Sequence, residues 1–140
     1  MEIIEQSFLI MFLVVPMVFF WDKHRIKRIL IVEDNANDVF LFKINVHIEN
    51  CVVEYKNSAE GIISTFWKRR PDLVIIDYYL PGRQKGDELL KFCDNNKIPA
   101  FLVTGSEGEI LGVDNQRIVR KSADKSYYQR LETLINEAIT

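Results

Sequence analysis

Four consecutive apolar residues, Leu73-Val74-Ile75-Ile76, run directly into the carboxylate of Asp77, and a turn signal, Pro81-Gly82, follows. A short unbroken apolar run, rich in β-branched residues and bounded by turn residues, reads as a strand covered on both faces. Parallel sheets flanked by helices contain such strands. In open sheets of this kind, ligands and chemistry sit in the crevice outside the carboxyl ends of the strands. Asp77 falls at that end. Taken alone, it is better explained as a helix cap or a turn residue. Its meaning depends on what the other strands end in.

Ile29-Leu30-Ile31-Val32 is a second such run, ending in Glu33-Asp34. Residues 35–38 supply turn and N-cap chemistry. The spacing then predicts a helix with Val39, Phe42 and Val46 on one face. Residues 51–55 read as a strand. Ser58 stands where it could cap a helix with a core stripe of Ala59, Ile62, Ile63 and Phe66. Lys68-Arg69-Arg70 would close that helix in keeping with its dipole, and Pro71 would stop it. After the loop at 81–86, residues 87–95 predict a short helix burying Leu89, Leu90 and Cys93. Residues 100–103 form the next apolar run, ending in Thr104-Gly105-Ser106, and residues 107–116, with Gly108 and Gly112, are weak as a helix. Residues 117–120 read as a short strand ending in Lys121. A final helix over 124–139 places Tyr128, Leu131, Ile135 and Ala138 on its core side. Strand and helix alternate throughout, which implies an α/β fold: a doubly wound, five-stranded parallel sheet with right-handed crossovers.

The first 23 residues differ in composition from the rest. Residues 6–21 carry no charge, Glu2 and Glu5 precede them, and Lys23, His24, Arg25, Lys27 and Arg28 follow. A secretory leader would place the basic residues first. As a membrane anchor the stretch is short, roughly 24 Å as helix against a hydrocarbon core of about 30 Å, and Pro16 interrupts it. Three readings compete: membrane association through residues 6–21, a segment packing on its own domain or on a second copy as a homodimer, or a non-native extension. Residues 24–140 then form the folded domain. A net charge of −2 offers no electrostatic case for nucleic acid. Cys51 and Cys93 lack the spacing of a zinc site or a disulfide framework, so a reducing, cytoplasmic setting is the default.

Side by side, the strand ends offer Glu33 and Asp34, Asp77, Thr104 and Lys121. Three carboxylates a few ångströms apart repel one another and stay ionised only around a cation, and hard oxygen donors suit Mg2+. A magnesium ion, a lysine and a hydroxyl together are suited to a phosphoryl group. The Asp at the centre, Asp77, is then the natural covalent acceptor.

At these residues the chain resembles the receiver domain of two-component response regulators. The likeness is carried by Lys27 through Asn35, Asp72 through Gly82, Leu102-Val103-Thr104-Gly105 and Val119-Arg120-Lys121, and spans about residues 24–140. It implies a flavodoxin-like fold with sheet order 2-1-3-4-5. It implies that Asp77 accepts a phosphoryl group from a histidine kinase or a phosphotransfer protein. Glu33, Asp34, Asp77 and the backbone carbonyl of Tyr79 would hold Mg2+, Thr104 would be the switch hydroxyl, and Lys121 would contact the phosphate. Four features depart from the usual pattern: Ser122 follows the lysine, Ile118 occupies the usual position of the switch aromatic, the interval from Thr104 to Lys121 is short, and the stretch from Asp77 to Gly86 differs slightly in spacing at the glycine. A shortened or irregular fourth helix is therefore expected. The expectation is a stand-alone receiver signalling through protein contacts, not an enzyme on a separate substrate. The alternatives are a pseudo-receiver that binds partners without phosphorylation, and a magnesium-dependent phosphatase. The phosphatase would want a second acid where Tyr79 stands.

Overall fold

The computed structural model describes residues 25–82, 85–108, 110 and 112–140. The readings of residues 1–23, including association through 6–21, lie outside the described residues. Five strands form one all-parallel sheet: β1 (Lys27–Val32), β2 (Cys51–Lys56), β3 (Leu73–Asp77), β4 (Ala100–Thr104) and β5 (Ile118–Arg120). Their order is β2-β1-β3-β4-β5, the order expected. Among the described residues three α-helices connect strands, α1 (Ala36–Asn45), α2 (Ile62–Phe66) and α3 (Gly86–Asn95), and a fourth, α4 (Lys125–Ile139), follows β5.

The period of two along each strand divides the core in two. Leu30, Val32, Val74, Ile76 and Leu102 point to one side, where they meet Ile62 and Phe66 of α2 and Leu89, Leu90 and Cys93 of α3. Ile29, Ile31, Leu73, Ile75, Val103 and Val119 point to the other, against Phe42 of α1 and Tyr128, Leu131 and Ile135 of α4. Every residue of β3 is buried, as an unbroken apolar run at the centre of a doubly covered sheet requires. The edge strand β2 is only partly covered, and Val52 on it is exposed. Polar contacts hold the end of the sheet remote from Asp77. There Asp72 accepts from the Arg28 backbone N–H at 2.8 Å and from the Arg25 guanidinium, and Arg28 pairs with Glu54 across β1 and β2.

Two segments differ from the sequence reading. The helix expected after Ser58 is confined to Ile62–Phe66, and its N-cap is Gly61 at φ 74° with no side-chain cap, so Ser58 does not cap it. A left-handed residue there ends any helical continuation from Ala59. At the other end, the hydroxyls of Ser64 and Thr65 donate to the carbonyls of Gly61 (2.8 Å) and Ile62 (2.7 Å), competing for the helix's own acceptors. Lys68-Arg69-Arg70 thus lies beyond the helix. Between β4 and β5 the described residues contain no α-helix, only a 3-10 turn at Asn115–Arg117 capped by the Asp114 side chain. The expected irregularity is there. Among the described residues, no helix is long and apolar enough to cross a membrane.

Ile76 is wholly buried at the centre of the sheet, whereas Trp67 is 77% exposed. Ile76→Ala is expected to cost about 2–5 kcal/mol in urea-unfolding measurements, and Trp67→Ala to stay within about 0.5 kcal/mol.

Candidate functional site

The site is a product of register. Val32 of β1 lies beside Ile76 of β3, so the next residues, Glu33 and Asp77, stand side by side where the two strands end. Glu33 extends the pairing with β2 through its N–H to the Lys56 carbonyl (2.8 Å). On the other side Asp77 pairs with Val103, and the Lys121 N–H continues the β4–β5 ladder to the Thr104 carbonyl at 2.8 Å. Four segments far apart in sequence therefore meet at one sheet edge. Glu33 and Asp77 are buried there, each 6% exposed, while Asp34 faces solvent.

Carboxylate oxygens of Glu33, Asp34 and Asp77 all lie within 4.8 Å of one another. The Lys121 ammonium donates to Glu33 Oε2 at 2.6 Å, to Asp77 Oδ2 at 2.8 Å and to Asp38 Oδ2 at 2.8 Å. Local backbone amides hold the carboxylates in place: Asn35 N–H donates to Glu33 Oε1, and Tyr79 N–H to Asp77 Oδ1, both at 3.0 Å. One ammonium does not balance this many carboxylates. Burial pushes the Glu33 carboxyl up to about 7; Lys121 and the Asn35 N–H oppose the rise, and the charge of Asp77 adds to it. Burial alone would lower the Lys121 ammonium, but its bonds to Asp38, Asp77 and Glu33 outweigh that and hold it above the ordinary lysine range. A cluster short of positive charge, made of converging hard oxygen donors, fits a divalent cation of the Mg2+ type.

Of the residues singled out in the sequence, Glu33, Asp34, Asp77 and Lys121 come together. Thr104 stands at the neighbouring strand end, fully buried, but its hydroxyl accepts from Ser106 N–H at 3.1 Å. Tyr79 has an exposed side chain resting edge-on against Tyr78. Ile118, in the position of the expected aromatic, is buried in the core. Arg120 grips the loop beyond Thr104, donating to the carbonyls of Ser106 and, at 2.8 Å, Gly108.

The roles of two participants escaped the sequence reading. Asp38, taken there as turn and cap chemistry, sits in the first turn of α1 and reaches Lys121 across the strand ends. An acid shortly after Glu33-Asp34 suits the helix dipole as well as a lysine, so nothing local marks it. Gly86 packs so closely under the site that a Cβ there would lie 2.3 Å from the Asp77 carbonyl oxygen and 2.8 Å from Tyr78 Cα.

Two tests follow from this geometry. Gly86→Ala must displace backbone at Asp77 and is expected to cost about 1–3 kcal/mol in chemical denaturation. Glu33 titrates higher folded than unfolded, so the folded protein binds more protons between 4.5 and about 7. Its contribution to stability is full below 4.5 and is lost as pH rises through about 7. In EDTA, stability should fall across this window by up to about 3 kcal/mol, and Glu33→Gln should flatten the slope in urea titrations at each pH.

No protein-family model and no curated protein sequence matches the chain. Solved structures do. A phosphorylated cyanobacterial phytochrome response regulator, RcpA, is 22% identical with TM-score 0.65, over 81% of this chain and 94% of that one. The Mn2+-bound form of the response regulator Rcp1 is 22% identical with TM-score 0.63, over 77% and 91%. A CheY-like receiver domain protein from Methanospirillum hungatei JF-1 is 21% identical with TM-score 0.60, over 81% and 94%. The chain thus has the fold of a response-regulator receiver domain, with an acidic cluster and a lysine gathered at its strand ends.

Proposed function

We propose that this protein is a phosphoacceptor receiver of a two-component phosphorelay, taking a phosphoryl group onto Asp77 from a histidine kinase or a phosphotransfer protein. The observation that carries the reading is the Lys121 ammonium, 2.8 Å from the buried Asp77, with the buried Glu33 and the solvent-facing Asp34 alongside. A carboxylate oxygen of Asp77 attacks phosphorus as the bond to the donor's imidazole nitrogen breaks, and the electron pair of that bond leaves on the nitrogen. The product is an acyl phosphate. Tyr79 N–H, bonded to Asp77 Oδ1, fixes the orientation of the nucleophile. Lys121 supplies positive charge where phosphoryl oxygens gather. Thr104 can turn its hydroxyl from Ser106 N–H toward the new phosphoryl group, so phosphorylation would be felt in the loop that Arg120 holds. Glu33, Asp34, Asp77 and the Tyr79 carbonyl would hold Mg2+. When bound, the ion supplies charge neutralisation for the phosphoryl oxygens.

On this reading the protein acts on its own aspartate and signals through protein contacts in the cytoplasm. Residues 24–140 are the receiver unit. Phosphorylation adds about −1.5 to −2 charges at a site already rich in carboxylates. Because Ile118 is buried in the core, the response is expected in the loop at 104–108 and not in an aromatic rotamer.

Incubation with acetyl phosphate and Mg2+, followed by intact-mass measurement, should show one added phosphoryl group. The adduct should disappear in Asp77→Asn and fall at least tenfold in Lys121→Ala. If neither acetyl phosphate nor phosphorylated histidine donors modify Asp77, the protein is instead a phosphorylation-independent binding module.

A further inference from the structure

Helix α2 stops at Phe66, and its early end leaves part of the β1–β2 face uncovered. Arg28 and Leu30 alternate along β1 and share that face. Glu54 and Lys56, opposite Leu30 and Val32 in the register of β2, share it too. Beyond α2 the chain curls back: the N–H groups of Lys68 and Arg69 both donate to the Thr65 carbonyl, at 3.1 and 3.0 Å. Between this curl and the two strands lies an open cavity of about 270 Å3.

Leu30, Ile62 and Phe66 make its apolar floor. Arg28, Lys56, Lys68 and Arg69 stand around that floor, four cations to the one carboxylate of Glu54. Arg28 is paired with Glu54, but among the described residues Lys56, Lys68 and Arg69 form no ion pair. Arg70, next in the chain, is engaged elsewhere: its guanidinium donates to the carbonyls of Asn96 at 2.8 Å and Lys97 at 3.0 Å. The chain as a whole carries a net charge of −2, so this gathering of cations is local. Like charges around one concavity raise its positive potential and favour an anion there.

We propose that this cavity binds a mononucleotide. Guanidinium and ammonium groups together suit phosphate, the first as a planar fork and the second as a point charge. The apolar floor, with the methylene stems of the surrounding cations, suits a flat ring. Glu54 takes Arg28 on Oε1, and its Oε2 can accept from a ribose hydroxyl or an exocyclic amine. The volume lies just under the roughly 300–1,000 Å3 of small-molecule sites, which fits a single nucleotide and not a larger cofactor. Inorganic phosphate, or an acidic segment of a partner protein, would use the cations and leave the floor empty. The Lys56 carbonyl accepts from the Glu33 N–H, so the cavity reaches the sheet edge beside the carboxylate cluster, yet none of those carboxylates lines it. The inference stands independently of the proposed phosphorylation.

Amide NMR titration of the full-length chain with AMP, ADP, GMP and UMP, in EDTA, provides the test. At least one should bind saturably with a Kd below about 1 mM, shifting the amides of Leu30, Thr65 and Arg69. Inorganic phosphate and the matching nucleoside, titrated separately, should each bind at least tenfold more weakly. Lys68→Gln with Arg69→Gln, both exposed positions, should weaken nucleotide binding at least tenfold. Lys91→Gln, which removes an exposed cation from α3, should leave it unchanged. Lys56→Gln alone serves if the double variant does not fold. The inference is overturned if no nucleotide shifts these amides, or if the shifts centre on Gly105 and Lys121. It is equally overturned if inorganic phosphate binds as tightly as the nucleotide, which marks an adventitious ion only. Displacement of the nucleotide by polyglutamate at equal anion concentration also overturns it, in favour of an acidic protein partner.

Discussion

The Lys121 ammonium among the carboxylates of Glu33, Asp38 and Asp77 is the contact on which this structure turns. Three carboxylates converging at a sheet edge would drive that edge apart or force protonation unless a cation lay between them. Lys121 stands at the end of the shortest strand, β5, and ties it to β1, α1 and β3 at once. The charge it brings is insufficient. Burial, with the charge of Asp77 adding to it, is why the Glu33 carboxyl titrates so far above the usual range. A buried cluster left short of positive charge has a standing affinity for a divalent cation, and its stability in the absence of one is lowest where all its acids are ionised.

Around that cluster the fold divides labour. The centre of the sheet is closed on both faces and stiff, with β3 buried along its whole length. The periphery is looser. Helix α2 is a little over one turn, and the described residues between Gly105 and Asp114 form bends and a turn, with no regular element before the 3-10 turn. Arg120 compensates in part, tying the carbonyls of Ser106 and Gly108 to the end of β5. A change at Asp77 would find compliant backbone beside Thr104 and rigid backbone beneath it, so motion is channelled into the loop at 104–108.

Much of this was legible in the chain itself. The unbroken runs ending at Val32 and Ile76 announce strands buried on both faces, and their alternation with helical patterns leads to a parallel sheet. The position of Asp77 directly after the second run puts a carboxylate at the carboxyl edge of the sheet. The short helix after Ser58 was not legible. Its apolar stripe at 59, 62, 63 and 66 is sound, but the backbone at Gly61 and the hydroxyl bonds of Ser64 and Thr65 curtail it. Periodicity describes which face is apolar and is silent on where the hydrogen-bond ladder fails. Asp38 was hidden for another reason: one acidic residue in a first turn serves a helix dipole or a distant lysine equally well.

By itself, then, the sequence determined the order and burial of the strands and the identity of the groups at their ends. Both depend on local apolar periodicity and on which residue follows each run. Only the tertiary structure decided which of those groups touch. Strand register sets Glu33 beside Asp77, and the β4–β5 ladder carries Lys121 to both. The Thr104 hydroxyl turns to Ser106, and Gly86 admits the backbone of Asp77 where a side chain could not fit. Such contacts arise between residues many positions apart and depend on ångström-scale register, information that no local pattern contains.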